Sequence, residues 1–428
     1  MHSLPTRRRF LVTGAGLLSA ALTGCALTSG SRARARPSSS SACTPLTVDV
    51  LNGQTAAGTT RILTGAGLAS CVRVTPEIAQ TNTPVLYPQL ADVQTRWWRY
   101  LAFGAGAGTP MTQPLDAALH TANFDAGVLQ PGLAVAFTDA GHRYAVPYGW
   151  DHLVVAVSRP LLTKWRIAPP PPSWTWSEFT QWCDSALAAV HPHRALFDLR
   201  SWWAYWPTIL TCFVVGFGGG FPRAPGGTVL PADLAAAQNR PGVYAFATFL
   251  ARYARTVADP HAALATLSMA SAAAAQRVPP AVAPFPTLPT TAAVPAEAVG
   301  YGVNHRLPPE RLPDAARFLT AMLGSSAQVA LSAGCKVLPA AAGVPVPWLV
   351  GLSERDRATL GSLPPGAAGL FPDPALGYLG ADNPYSTVRD LAALAAPSSQ
   401  ASPDAVYTAL VAAQQAANRL PQAVGAGH

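Results

Sequence analysis

"YAVPYGWDHLVVAVS", Tyr144 to Ser158, is a proline-kinked aromatic turn that runs straight into an apolar strand. Its second half, "HLVVAVS", has no polar alternation, as expected of a strand covered on both faces. The first half places Tyr148, Trp150 and Asp151 where the chain turns inward. Aromatic faces suit the C–H groups of a ring, and a carboxylate suits its hydroxyls. That combination of side chains points to a sugar-like ligand.

Working outward, strands and helices alternate in the α/β manner. "LTVDVLN" (Leu46 to Asn52) and "CVRVTP" (Cys71 to Pro76) read as two adjacent parallel strands around a short helix, and a third strand ends at Asp92-Val93. After the proline linker, "SWTWSEFTQWCDSALAAV" reads as a helix capped by Ser173 or Ser177, with Glu178 early in it. An aromatic-led helix then ends in Gly218-Gly219-Gly220. "NRPGVYAFATFLARYART" is amphipathic, "PDAARFLTAMLGSSAQVALSAG" makes two helices, and "PDAVYTALVAAQQAANRL" is the last. No segment repeats, and no later segment is apolar for the ~20 residues a membrane span needs.

The N-terminus carries an export signature. Arg7, Arg8 and Arg9 form a twin-arginine-like n-region, and an apolar run from Phe10 to Leu22 follows. "LTGC" then closes the signal peptide, residues 1–25, as a lipobox with Cys25 as the lipidated residue. Residues 26–43 are rich in Ser, Arg and Pro without hydrophobic period, the composition of a disordered tether. The net charge of +8 lies mostly here, because six arginines precede the first acidic residue, Asp49. The folded part is therefore not a basic surface, which excludes nucleic acid as a partner.

Five cysteines remain beyond Cys25. Cys43 and Cys71 each precede one of two adjacent strands and are the expected disulfide. Cys183 and Cys212 lie in helical segments and are able to form a second, leaving Cys335 over. No CxxC, HExxH or Cys/His ligand spacing occurs, so neither a metal nor a cofactor is expected.

In order along the chain, "ADVQTRWW", "PLDAAL", "YAVPYGWDHLVVAVSRPLLTKW", "SWTWSEF", "WPTILTCFVVGFGGGF", "GVYAFATFLARY", "APFPTLP", "RFLTAMLGSSAQVAL" and "VLPA" resemble the family 1 extracellular solute-binding proteins of bacterial ABC importers. The resemblance implies a type II periplasmic-binding-protein-like α/β fold: two lobes joined by hinge strands, with the ligand in the cleft between them. By the family pattern the first lobe holds 44–147 and 289–335, the second 148–288 and 336–428. It also implies a monomer, lipid-anchored to the outer face of the cytoplasmic membrane, that hands a carbohydrate or derivative to permease subunits.

The same resemblance nominates the ligand-binding residues. "VPYGWD" becomes the first interlobe crossing, so Tyr148, Trp150 and Asp151 line the cleft. Trp203 matches an aromatic stacking position, while at least one of Trp202, Trp203 and Trp206 belongs to the core. Trp97 or Trp98 caps the first-lobe side, Arg96 is placed to clamp an anionic group, Tyr301 and Asn304 sit at the second crossing, and Tyr385 is a late aromatic of the second lobe. Two departures bear on the ligand. Gln94, Thr95 and Arg96 stand where relatives carry acidic residues, and "LSMASAAAAQ" (Leu267 to Gln276) replaces a glycine-plus-tryptophan wall. An amino-sugar or a glycerophosphodiester therefore stands beside a neutral sugar.

Two rival classes remain. The chain has no G-x-S-x-G elbow, P-loop or zinc motif, and "GFGGGF" fails the dinucleotide pattern, so an enzyme is not expected. A transport-inactive sensor or adaptor of the same fold is the second, favoured by the short stretch between Cys71 and Asp92.

Overall fold

The computed structural model describes residues 45–51, 54–69, 72–75, 91–97, 112–130, 132–139, 141–190, 196–198, 205–221, 232–255, 263–363, 367–370 and 401–425. Cys25, Cys43, Cys71, Trp98, Trp203 and Tyr385 lie outside them, as do the side chains of Arg96 and Trp97.

The chain opens with β1 (Leu46–Val48), α1 (Ala56–Gly65), β2 (Val72–Val74) and β3 (Val93–Trp97). Next come α2 (Asp116–Thr121), β4 (Thr138–Asp139), β5 (His142–Arg143) and the long β6 (Ala145–Val157). Then follow α3 (Arg159–Trp165), α4 (Trp176–Ala189), β7 (Phe197–Asp198), α5 (Trp206–Gly216), α6 (Arg240–Tyr253) and β8 (Ala254–Arg255). β9 (Ala265–Met269), α7 (Ala270–Ala274), β10 (Ala281–Pro284) and β11 (Ala293–Val303) lead into α8 (Leu312–Ala321) and α9 (Ser325–Cys335). The chain closes with β12 (Leu338–Pro339), α10 (Glu354–Gly361), β13 (Ala368–Leu370) and α11 (Pro403–Gly425).

One sheet runs β2-β1-β3-β11-β6-β9-β7-β8. Its two ends are parallel, as β1 with β2 and β7 with β8 show. The middle is antiparallel, built on β11 with β6 and on β6 with β9. The expected parallel pairing of the first two strands is present, with Leu46 opposite Val72. The third strand begins at Val93 rather than ending there, because Val93 is where pairing to Val48 starts.

The interior divides into two large apolar clusters. One gathers Val48, Val93, Val146, Tyr148, Trp150, Ala298, Tyr301 and Leu331. The other gathers Leu153, Val155, Phe179, Phe213, Phe249, Val294 and Leu410. β6 passes from the first to the second between Trp150 and Leu153, and β11 passes between Ala296 and Val294. All thirteen residues of β6 are buried, which explains its unbroken apolar reading.

Local signals account for the helices around the second cluster. α4 is capped by Thr175, not by Ser173 or Ser177. The Thr175 hydroxyl accepts from the Glu178 amide at 3.3 Å, and the Glu178 carboxylate accepts from the Thr175 amide at 2.7 Å. This reciprocal box satisfies two amides that no intrahelical carbonyl reaches. Phe179, Cys183 and Ala186 then fall on one buried face. α5 is buried nearly all round, and Trp206 is the core member of its aromatic group. Gly218 ends it at φ +87°, with the Gly219 amide returning to the Val214 carbonyl at 2.8 Å. Cys183 and Cys212 face the same apolar core as free thiols, so the second expected disulfide is absent, and burial pushes both pKa values well up.

Candidate functional site at the crossing strands

The crossing is shaped first by a bulge. Gly149 pairs with Val299 and Pro147 with Gly300, so Tyr148 is the extra residue between them. Glycine is required on both strands. A Cβ on Gly300 would lie 2.6 Å from the Val146 carbonyl oxygen, and one on Gly149 would lie 2.4 Å from Val337 Cγ2. At Gly300 the neighbouring backbone approaches more closely than a side chain permits, and at Gly149 the Val337 side chain fills the space.

Around the bulge the expected residues are brought together but buried. The Tyr148 and Tyr301 rings meet at 5.4 Å, and the Tyr301 hydroxyl donates to the Asp49 carbonyl at 2.8 Å. Trp150 Nε1 donates to the Pro339 carbonyl at 3.1 Å. Asn304 donates through Nδ2 to the Ala91 carbonyl at 3.2 Å and accepts the Arg306 amide at 3.0 Å. Tyr148, Trp150, Tyr301 and Asn304 are thus buried, with ring or hydrogen-bond partners inside the fold. A polar group in the interior needs such a partner, or its burial costs about 1–3 kcal/mol.

Asp151 and His152 follow on opposite faces of β6. Asp151 Oδ1 accepts the His152 amide at 2.8 Å, and Oδ2 accepts both the amide (3.2 Å) and the hydroxyl of Ser271 at the start of α7. Burial raises its pKa to about 6, and these hydrogen bonds, which favour the charged form, hold it from going higher. The His152 ring lies 5.6 Å from Trp150. Neither ring nitrogen makes a hydrogen bond of normal geometry, and burial lowers its pKa to about 4, opposed in part by the nearby backbone of Leu153 and of Leu360 in α10.

Glu297 was not anticipated. It sits on β11 directly opposite Asp151, buried, and its carboxylate accepts the hydroxyl of Thr208 in the first turn of α5. The signal was available in "AVPAEAVGYGV", where one carboxylate interrupts an otherwise apolar crossing strand. Ser271 lies inside "LSMASAAAAQ", where no local pattern marks it out from the small residues around it.

β3 delivers two more candidates to the same place. The Arg96 backbone pairs with Gly300 and the Trp97 backbone with Val299, beside the bulge. Among the described residues, no group of three or more His, Cys, Asp or Glu is placed to hold a metal ion. No described helix is by itself long and apolar enough to cross a membrane.

No protein-family model matches the chain, and no curated protein does. Solved structures do. UgpB from Mycobacterium tuberculosis, in complex with glycerophosphocholine, superposes with a TM-score of 0.63 at 16% identity, covering 89% of this chain and 98% of that one. The GacH receptor of Streptomyces glaucescens, solved unliganded and with acarbose, gives a TM-score of 0.61 at 17% identity, covering 88% and 99%. A maltose-bound MalE3 of T. maritima gives 0.57 at 15% identity, covering 87% and 99%. The fold is therefore that of the periplasmic-binding-protein-like proteins, as the sequence implied, with β6 and β11 as the strands that pass between its two apolar clusters.

Proposed function

We propose that this chain is an extracytoplasmic solute-binding protein that captures a sugar or sugar derivative between its lobes and delivers it to an ABC importer. The observation that carries this reading is the near-complete coverage of the chain by structures of sugar- and glycerophosphocholine-bound binding proteins. In this reading the ligand meets Trp203, Arg96, Trp97 or Trp98, and Tyr385. Trp203 precedes by five residues the Thr208 that bonds Glu297, and Arg96 and Trp97 flank the bulge by register.

The opposed carboxyls of Asp151 and Glu297 give the crossing a cluster of hydrogen-bond acceptors. Acceptors at the crossing suit a ligand rich in donors, a neutral polyol or an amino-sugar, better than a bare anion. The glycerophosphodiester remains a second reading, supported by the ligand of UgpB and by Arg96 at the bulge. Lipidation at Cys25 would hold the monomer on the outer face of the cytoplasmic membrane, within reach of its permease subunits.

A thermal-shift panel of neutral oligosaccharides, amino-sugars and glycerophosphodiesters, paired with a turnover assay, tests this. A saturable shift without product supports capture. Turnover would replace it with an enzyme, and silence across the panel would favour the adaptor. Arg96→Ala and salt titration separate the ligand classes: an anionic ligand loses affinity under both, a neutral one under neither.

A further inference from the structure

Asp151 lies where β6 passes between the two cores, and Ser271 lies where β9 turns into α7. These residues are 120 positions apart in sequence, yet the Ser271 amide and hydroxyl both close on Asp151 Oδ2, while Oδ1 holds the amide of the next hinge residue. One carboxylate therefore fixes the hinge strand and the neighbouring helix start together. We propose that Asp151 and Ser271 form a proton-operated latch that sets how firmly the hinge strand holds the start of α7.

The linkage follows from burial. A carboxylate removed from water favours its neutral form, so any state that rehydrates it is favoured as it ionises. The latch is therefore strongest in acid, where the carboxyl is neutral whether buried or open; it weakens as pH rises from the ordinary aspartate value toward about 6, and stays weakened above that. The hydrogen bonds from Ser271 oppose that drive, because they are stronger to the ionised form.

The surroundings leave few competing charges. Glu297 faces Asp151 from β11, and His152 follows on the opposite face of β6. Among the described residues of β9, β10, β12, α5 and α7 there is no acidic or basic side chain. α9 contributes the half-buried Cys335, with the exposed Lys336 after it. α10 approaches His152 through the Leu360 backbone; its Glu354, Arg355 and Arg357 are exposed, and Asp356 pairs with Arg159 at 3.6 Å. Glu297 is the acidic side chain directly opposite Asp151, and its carboxylate accepts the Thr208 hydroxyl.

Hydrogen–deuterium exchange of the full chain without ligand, read at peptides covering 148–154 and 267–276 and corrected for intrinsic exchange, tests the latch. Protection in the parent should fall as pH rises from the ordinary aspartate range toward about 6 and level off above it. Asp151→Asn should remove the transition, and His152→Phe should leave it in place. Ser271→Ala should move it to higher pH, because a bond that favours the ionised form is gone, which simple loosening would not do. A flat parent profile, a transition that survives in Asp151→Asn, or an unmoved midpoint in Ser271→Ala would each overturn the proposal. The Ser271 variant keeps the test decisive if Asp151→Asn does not fold.

Discussion

Asp151 on β6 and Glu297 on β11 are directly opposed in the antiparallel register, both buried, and each accepts a hydroxyl from the first turn of a different helix. Two carboxyls directly opposite in a buried strand pair each need a donor, or their burial is costly. The fold tolerates them because Ser271 and Thr208 supply donors at the crossing. The two crossing strands are thereby tied to α7 and α5, so the crossing is held by side chains as well as by the ladder.

Adjacent hinge residues carry opposite pH linkages. Asp151 has a folded pKa of about 6, raised above its ordinary value, so its stability contribution is full in acid and is lost as pH rises toward 6. Replacing His152 with Phe should leave this slope uncovered. Relative to the parent, His152→Phe should gain stability between pH 6 and pH 4, by about 1–3 kcal/mol, as read by denaturant unfolding.

His152 acts the other way. Its folded pKa of about 4 lies below the ordinary value, so its contribution is full above about pH 6.5 and is lost as pH falls toward 4. Asp151→Asn should therefore be the acid-sensitive variant, losing stability relative to the parent over that window. Parallel pH profiles for the two variants would contradict the buried placement of both groups.

Gly300→Ala should destabilise the protein by about 1–3 kcal/mol, because its Cβ would meet a carbonyl oxygen that the bulge cannot move. Gly220→Ala is the matched control: nothing lies within 4 Å of its Cβ, and a change within about 0.5 kcal/mol is expected. Urea unfolding of both variants reads the difference.

Cys25→Ala should move the protein from the membrane fraction to the soluble one while its unfolding midpoint stays that of the parent. Retention on the membrane after a salt wash would contradict lipid anchoring.

The crossing was legible in "YAVPYGWDHLVVAVS" because an unbroken apolar run in an α/β pattern requires burial on both faces. The role of its polar residues was not. Sequence shows that Tyr301 and Asn304 are polar and near a hinge, but their partners, the Asp49 and Ala91 carbonyls, are more than 200 residues away. Only the folded register shows that such groups already have hydrogen bonds. The Asp151–Glu297 pairing was hidden for the same reason, since it is set by a bulge at Tyr148 that no local pattern announces. Cys183 and Cys212 show the converse: two cysteines in neighbouring helices satisfied a counting rule while serving as small apolar core residues.

The central claim is ligand capture, and calorimetric titration of the parent and Trp203→Ala against neutral oligosaccharides, amino-sugars and glycerophosphodiesters tests it most directly. The account expects one class to bind the parent saturably at one site without turnover, and expects Trp203→Ala to weaken that ligand by about 1–3 kcal/mol through loss of a stacked ring. Absence of binding to every class, or equal affinity in parent and variant, would contradict it.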